Sequence, residues 1–275
     1  MKIIIAATDF SKVSLNAVNY AVEMAKKIDA GIVLFHTCAI PMPLGDVPVS
    51  ACSIDQIQQE AQTRLDNLKE HLLSRHGKKM TIYTKVVNGD VLHELKNYAS
   101  LVNAYVIVMG AEGHGAFERF LFDGTAFGAI KRLHCPLIMV PLRARFKNIK
   151  KIGLACDLKD VADSVRVKTV KDLINAFHAE LHVLHVDETS KLQYDPEKIV
   201  ESGELQELLY DLHPQYHFLR DSNIEESISR FAKKQKLDIL IVIPKKHSLL
   251  NKLFHRSHSQ KLLLQSSVPI LSLHE

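Results

Sequence analysis

Residues 2–11 read KIIIAATDFS, and residues 151–159 read KIGLACDLK. Each is a short apolar run that breaks at an aspartate, Asp9 in one case and Asp157 in the other. Unbroken apolar runs of this length mark strands buried on both faces, as in a parallel sheet covered by helices. The likeness extends along the chain. IVLFHT at 32–37 resembles LHVLHV at 181–186, and YVIVMG at 105–110 resembles ILIVIP at 239–244. HCPLIMVP at 134–141 resembles SVPILSLH at 267–274, which sets Pro136 against Pro269. The same unit therefore occurs twice. At roughly 140 residues it is too long for a solenoid repeat and is the size of a whole domain.

Within the first copy, strands are predicted at 2–8, 31–37, 80–87, 104–109 and 136–140, with helices at 14–27, 54–74, 91–100 and 125–133. The second copy repeats the order with strands at 150–156, 180–186, 215–219, 238–243 and 269–273. Such alternation builds βαβ units, so the fold class is α/β: two tandem five-stranded parallel-sheet, Rossmann-like domains, 1–143 and 149–275. The junction 142–148 carries Arg143, Arg145 and Lys147 and reads as a solvated linker. Seven residues span at most about 25 Å, enough to join one last strand to the next first strand without exchange between chains. Each copy alone would expose an edge strand. Pairing 136–140 with 269–273 covers both edges in an intramolecular pseudo-dimer, expected as a single unit or a modest homo-oligomer.

Composition narrows the function classes. The chain has 275 residues, 47% hydrophobic and 24% charged, and lacks the roughly 18–20 residue apolar stretch of a membrane span. No signal-peptide pattern precedes the first strand, so a cytoplasmic protein is expected, without membrane partners. Cys38, Cys52, Cys135 and Cys156 form no CxxC pair, which argues against a disulfide framework or a zinc knuckle. A net charge of +4 with no Trp does not suggest a nucleic-acid surface. His114 with His134, or His255 with His258, lack the spacing of a closed metal site. No Gly-x-Ser-x-Gly elbow is present either.

Ligands of open parallel sheets bind beyond the carboxyl ends of the strands, where strand order reverses. After strand one comes Ala7-Thr8-Asp9-Phe10-Ser11, whose carboxylate can bond a ribose hydroxyl or an adenine amine or, alternatively, cap the following helix. After strand four comes Met109-Gly110-Ala111-Glu112-Gly113-His114-Gly115, with Gly124-Thr125 at the start of the fourth helix. Glycines admit an anion close to the backbone, and amides at a helix start supply donors. The alternative is a flexible turn. It is not a Walker sequence, because no Gly-Lys-Ser/Thr follows.

These stretches resemble the universal stress protein family. ATDFS is similar to its opening signature, and MGAEG followed by GT is similar to its Gly-x-x-Gly, spacer, Gly-Ser/Thr phosphate motif. The resemblance implies an adenine-nucleotide alpha-hydrolase-like fold, dimerisation through the last strand, and ATP or a related adenine nucleotide as ligand. It implies that Asp9 contacts the ribose or adenine end and that Thr37 lines the adenine pocket. Gly110 and Gly113 would admit the phosphates, Gly124 and Thr125 would bind them, and Ala7, Thr8, Met109 and Ala126 would complete the site.

The chain departs from that pattern in places. Its spacer, 114–123, has ten residues where the family usually has nine, and Thr37 replaces a small alkyl residue. Glu112 and Asp123 place acidic charge near a polyphosphate, which Mg²⁺ or Arg119 would offset. The second copy has Ile243-Pro244-Lys245-Lys246-His247 in place of the glycines, and Pro244 lacks an amide donor. Nucleotide is expected in the first copy only. The basic stretch 245–258 reads as a solvated loop, or else grips an anion by side chains. A nucleotide-responsive stress protein, not an enzyme, is the leading expectation; a ligand-free dimerisation and interaction scaffold is the alternative. ATP hydrolysis or autophosphorylation would need a positioned base and metal that the sequence does not identify.

Overall fold

The computed structural model describes residues 1–38, 51–77, 79–111, 135–187, 196–243 and 266–273, with the side chains of 51–53 and 164 excepted. The first copy runs β1 (Lys2–Ala7), α1 (Lys12–Ile28), β2 (Ala30–Cys38), α2 (Ala51–His76), β3 (Ile82–Asn88), α3 (Val91–Leu101), β4 (Val106–Gly110) and β5 (Leu137–Val140). The second runs β6 (Lys151–Ala155), α4 (Val161–Ser164), α5 (Val167–Phe177), β7 (Glu180–Asp187), α6 (Pro196–Leu208), a 3₁₀ turn at Tyr210–Leu212, β8 (Gln215–Arg220), α7 (Ile224–Gln235), β9 (Ile239–Val242) and β10 (Ile270–Ser272). The expected strands all form, with ends displaced by one or two residues. The helix expected at 125–133 and the basic stretch 245–258 lie outside the described residues.

One ten-stranded sheet holds the two copies, in the order β3-β2-β1-β4-β5-β10-β9-β6-β7-β8. Every pairing is parallel except the one at its centre, where β5 and β10 run antiparallel with Ile270 opposite Met139, Leu271 opposite Ile138 and Ser272 opposite Leu137. The expected pairing of the two last strands is thus made within one chain. All four residues of β5 and all three of β10 are buried, as their apolar sequences require of central strands. Each face of the sheet carries a core that crosses the seam. On one face Ile4, Leu34 and Ile138 join Ile152, Leu154 and Leu271; on the other Phe35, Ile107 and Met139 join Leu240 and Ile270.

The junction differs from the solvated linker expected. Arg143 and Lys147 are exposed, but Ala144 and Ile149 are buried. Asn16 of α1 donates from its amide to the carbonyls of Pro141 and Ala144, 2.9 Å in each case, and accepts from Arg145. Phe146 lies between Tyr20 of α1, 5.2 Å away, and Phe177 of α5, 6.2 Å away. Its ring fills the space between helices of the two copies, so burial of apolar area and of linker carbonyls holds the segment down. Burial also pushes the Tyr20 hydroxyl well above its usual pKa, an effect that the Asp238 charge reinforces. Among the described residues, no helix is long and apolar enough to cross a membrane.

Candidate functional site

In the first copy the strand order reverses on either side of β1, which pairs with β2 on one flank and with β4 on the other. The residues beyond the carboxyl end of β1 therefore stand at the switch point of the sheet. Thr8 is fully buried, and its hydroxyl lies 2.9 Å from the Ser14 hydroxyl while accepting the Phe10 amide at 2.9 Å. That bond holds Phe10 at a φ of +64°, turning the chain sharply into α1.

Ser11 is the N-cap, its hydroxyl accepting the Ser14 amide at 3.3 Å. Asp9 stands two residues before the cap and accepts the Ser11 amide at 3.0 Å. Burial of the Asp9 carboxyl works against ionisation, but the hydroxyls of Ser11 and Ser14 and the Ser11 amide outweigh it and hold the group below the usual carboxylate range. A fixed, ionised acceptor results. Helix capping, the alternative role for Asp9, belongs to Ser11.

At the end of β2, Thr37 is half-buried, and its hydroxyl oxygen has no hydrogen-bond partner among the described residues. His36 points its Nδ1 at the Thr8 carbonyl, 2.8 Å away. Burial lowers the His36 pKa more than that bond raises it, so the ring is neutral and Nδ1–H is the donor. Phe10 lies 4.8 Å from the His36 ring, and the Arg64 guanidinium of α2 stands over the Phe10 ring, 3.9 Å from its centroid.

At the end of β4, Gly110 packs directly on the first turn of α1. A Cβ there would stand 2.9 Å from Val13 Cγ2, 3.0 Å from the Val13 carbonyl carbon and 3.1 Å from the Ser14 amide nitrogen. The expected residues Thr8, Asp9, Thr37 and Gly110 thus gather at one corner. Ala7 and Met109 point into the core of the opposite face, so only their main chain is available there. Gly113, Gly124, Thr125 and Ala126 lie outside the described residues, as do Glu112, Arg119 and Asp123. His36, Phe10, Ser14 and Arg64 were not singled out in the sequence. The alignment of His36 with His185 in the repeated strand was the available signal.

The second copy reproduces the same turn. The Leu158 amide approaches Cys156 Sγ at 3.4 Å, Leu158 has a φ of +52°, and His185 Nδ1 meets the Cys156 carbonyl at 3.0 Å. It differs in its helix start, where Glu201 of α6 accepts the Val161 amide at 2.8 Å.

A sequence model described as the universal stress protein family matches residues 1–141 and, a second time, residues 148–274. The chain belongs to the universal stress protein family. A universal stress protein of Methanocaldococcus jannaschii is 30% identical over 141 residues, covering 50% of this chain and 81% of that protein. The crystal structure of a universal stress protein from Archaeoglobus fulgidus superposes with a TM-score of 0.70 at 16% identity, covering 99% of this chain and 96% of its own. A functionally unknown protein from Pseudomonas aeruginosa gives a TM-score of 0.61 at 13% identity over 100% of this chain and 92% of its own. Both likenesses extend across the seam, so the fold of the fused pair recurs as a whole.

Proposed function

We propose that the first copy binds ATP or a related adenine nucleotide beyond the ends of β1, β2 and β4, and that the protein is a cytoplasmic, nucleotide-responsive regulator. The observation that carries this is the ionised Asp9 carboxylate, fixed by serine hydroxyls at the switch point of the sheet. A carboxylate so held is arranged to accept hydrogen bonds from ribose hydroxyls or an adenine amine. The Thr37 hydroxyl, without a partner among the described residues, supplies a second polar contact, and Gly113, Gly124 and Thr125 have the residue types of a backbone phosphate cradle. Ala126 continues that stretch, and Mg²⁺ would offset Glu112 and Asp123. Signalling then needs only that nucleotide favour one loop conformation over another; no turnover is required.

The second copy acts in this scheme as a structural partner. Its Glu201 carboxylate already occupies the first amide of α4, and it lacks the glycines. The second half therefore lacks the determinants of a nucleotide site, and the alternative for the whole protein is a dimerisation and interaction scaffold that binds no nucleotide. Calorimetry with ATP separates the two: one site per chain, abolished by Gly124→Arg without loss of fold, is expected. Two equivalent sites, or none, would overturn the proposal.

A further inference from the structure

We propose that the second copy carries a binding site of its own, for a small aromatic acid bearing a hydroxyl group, in the cavity between α6 and the ends of β6, β7 and β8. The cavity is open to solvent and measures about 970 Å³, ample for a ligand of that size. Its floor is Leu158, His185 and Phe218, and its wall is α6, from Lys198 past Gly203. In the first copy the corresponding corner is filled by the stack of Phe10, His36 and Arg64. Leu158 stands where Phe10 does and is smaller, which leaves the corner of the second copy open.

Three features of the cavity specify chemistry. His185 is only 7% exposed, and its Nε2 has no hydrogen-bond partner among the described residues. Burial keeps the ring neutral, against the Cys156 carbonyl bond, and Nδ1–H is committed to that carbonyl. Nε2 is therefore an acceptor that requires a donor, such as a ligand hydroxyl. Next, Arg220 is the last residue of β8, in register with Asp187, and Asp187 is paired with Lys198 at 3.2 Å. The lining side chains Asp187, Lys198 and Arg220 together carry one net positive charge, suited to one carboxylate. Finally, Phe218 is left 60% exposed on the same face as His185, with Ile199 beside the cavity. An aromatic ring laid on Phe218 covers that apolar area.

Gly203 provides the test, because a Cβ there would meet nothing within 4 Å. Gly203→Phe projects a ring into the cavity from an exposed helix face. Calorimetry of the full chain with 4-hydroxyphenylacetate should show saturable binding that Gly203→Phe removes, the thermal midpoint being retained. Arg220→Gln should weaken binding by about tenfold or more, as loss of a charge-assisted hydrogen bond does. Phenylacetate, which lacks the hydroxyl, should bind at least about fivefold more weakly because His185 Nε2 then stays unpaired. If Gly203→Phe fails to fold, Arg220→Gln and the phenylacetate comparison decide. The proposal is overturned if 4-hydroxyphenylacetate does not bind, if it binds the Arg220→Gln chain equally well, if phenylacetate matches it, or if AMP displaces it competitively.

Discussion

Gly110→Ala separates two reasons for a glycine that stands in both the β4 strand and the loop motif. Its φ is one that any residue adopts, so conformational freedom is not the requirement; space is. The added Cβ would meet one movable atom, Val13 Cγ2 at 2.9 Å, and two backbone atoms of α1 at 3.0 and 3.1 Å. Helix backbone yields less readily than a side-chain tip. Overpacking of this kind costs about 1–3 kcal/mol, against which reduced freedom of the unfolded chain returns about 0.4–1 kcal/mol. A net loss of about 1–2 kcal/mol is expected, equivalent to a fall in Tm of about 2–8 °C for a chain of this size. Urea unfolding should show a lower midpoint with an unchanged slope. Adding Val13→Ala should restore part of the loss, since it removes the Cγ2 contact and leaves the backbone contacts. A Gly110→Ala chain as stable as the wild type would refute close packing as the reason for the glycine. A weakened ATP response in that variant could then be assigned to the phosphate site directly.

Asn16→Ala should cost about 1–3 kcal/mol in urea unfolding, because the Pro141 and Ala144 carbonyls lose their donor; an unchanged midpoint would show the clasp to be idle. His36, His182, His185 and His217 are each held below the usual histidine pKa, first of all by burial. The unfolded chain then binds more protons, so stability is full above about pH 6.5 and falls as pH drops from there toward the lower folded-state values. The urea midpoint should decline between pH 7 and pH 5, less so in His36→Gln/His185→Gln; a flat profile in the wild type would contradict this. Residues 1–143 expressed alone should associate through β5, whose four residues are all buried in the full chain; sedimentation showing a stable monomer would count against the seam.

Strand positions were legible because fully buried parallel strands leave near-continuous apolar runs, such as Ile3-Ile4-Ile5-Ala6-Ala7 and Leu137-Ile138-Met139-Val140. The seam was legible because two copies of one unit present the same last strand. The junction was not, since Ala144, Phe146 and Ile149 sit among three basic residues and only their tertiary neighbours, Asn16, Tyr20 and Phe177, make them a clasp. Asp9 could be placed at the strand end from its position in the repeat. Its ionised state could not, because that depends on hydroxyls contributed by Ser11 and Ser14 in the folded turn.

Comparison of the two copies divides the corner into parts that serve the turn and parts that do not. The left-handed residue after the aspartate, the side-chain bond to its amide, and the histidine bonded to the strand-end carbonyl occur in both. The second copy keeps them without the glycines, so they are requirements of the strand-to-helix turn and carry no evidence for nucleotide. What distinguishes the first copy is the Ser11–Ser14 support of Asp9, the Thr37 hydroxyl with no partner among the described residues, and the glycine stretch. What distinguishes the second is Glu201 on the helix amide and an open space where Phe10 and Arg64 would be. A shared backbone with different fillings at its corners lets one sheet hold two sites of different chemistry, because the seam and the clasp fix the frame without recruiting either corner.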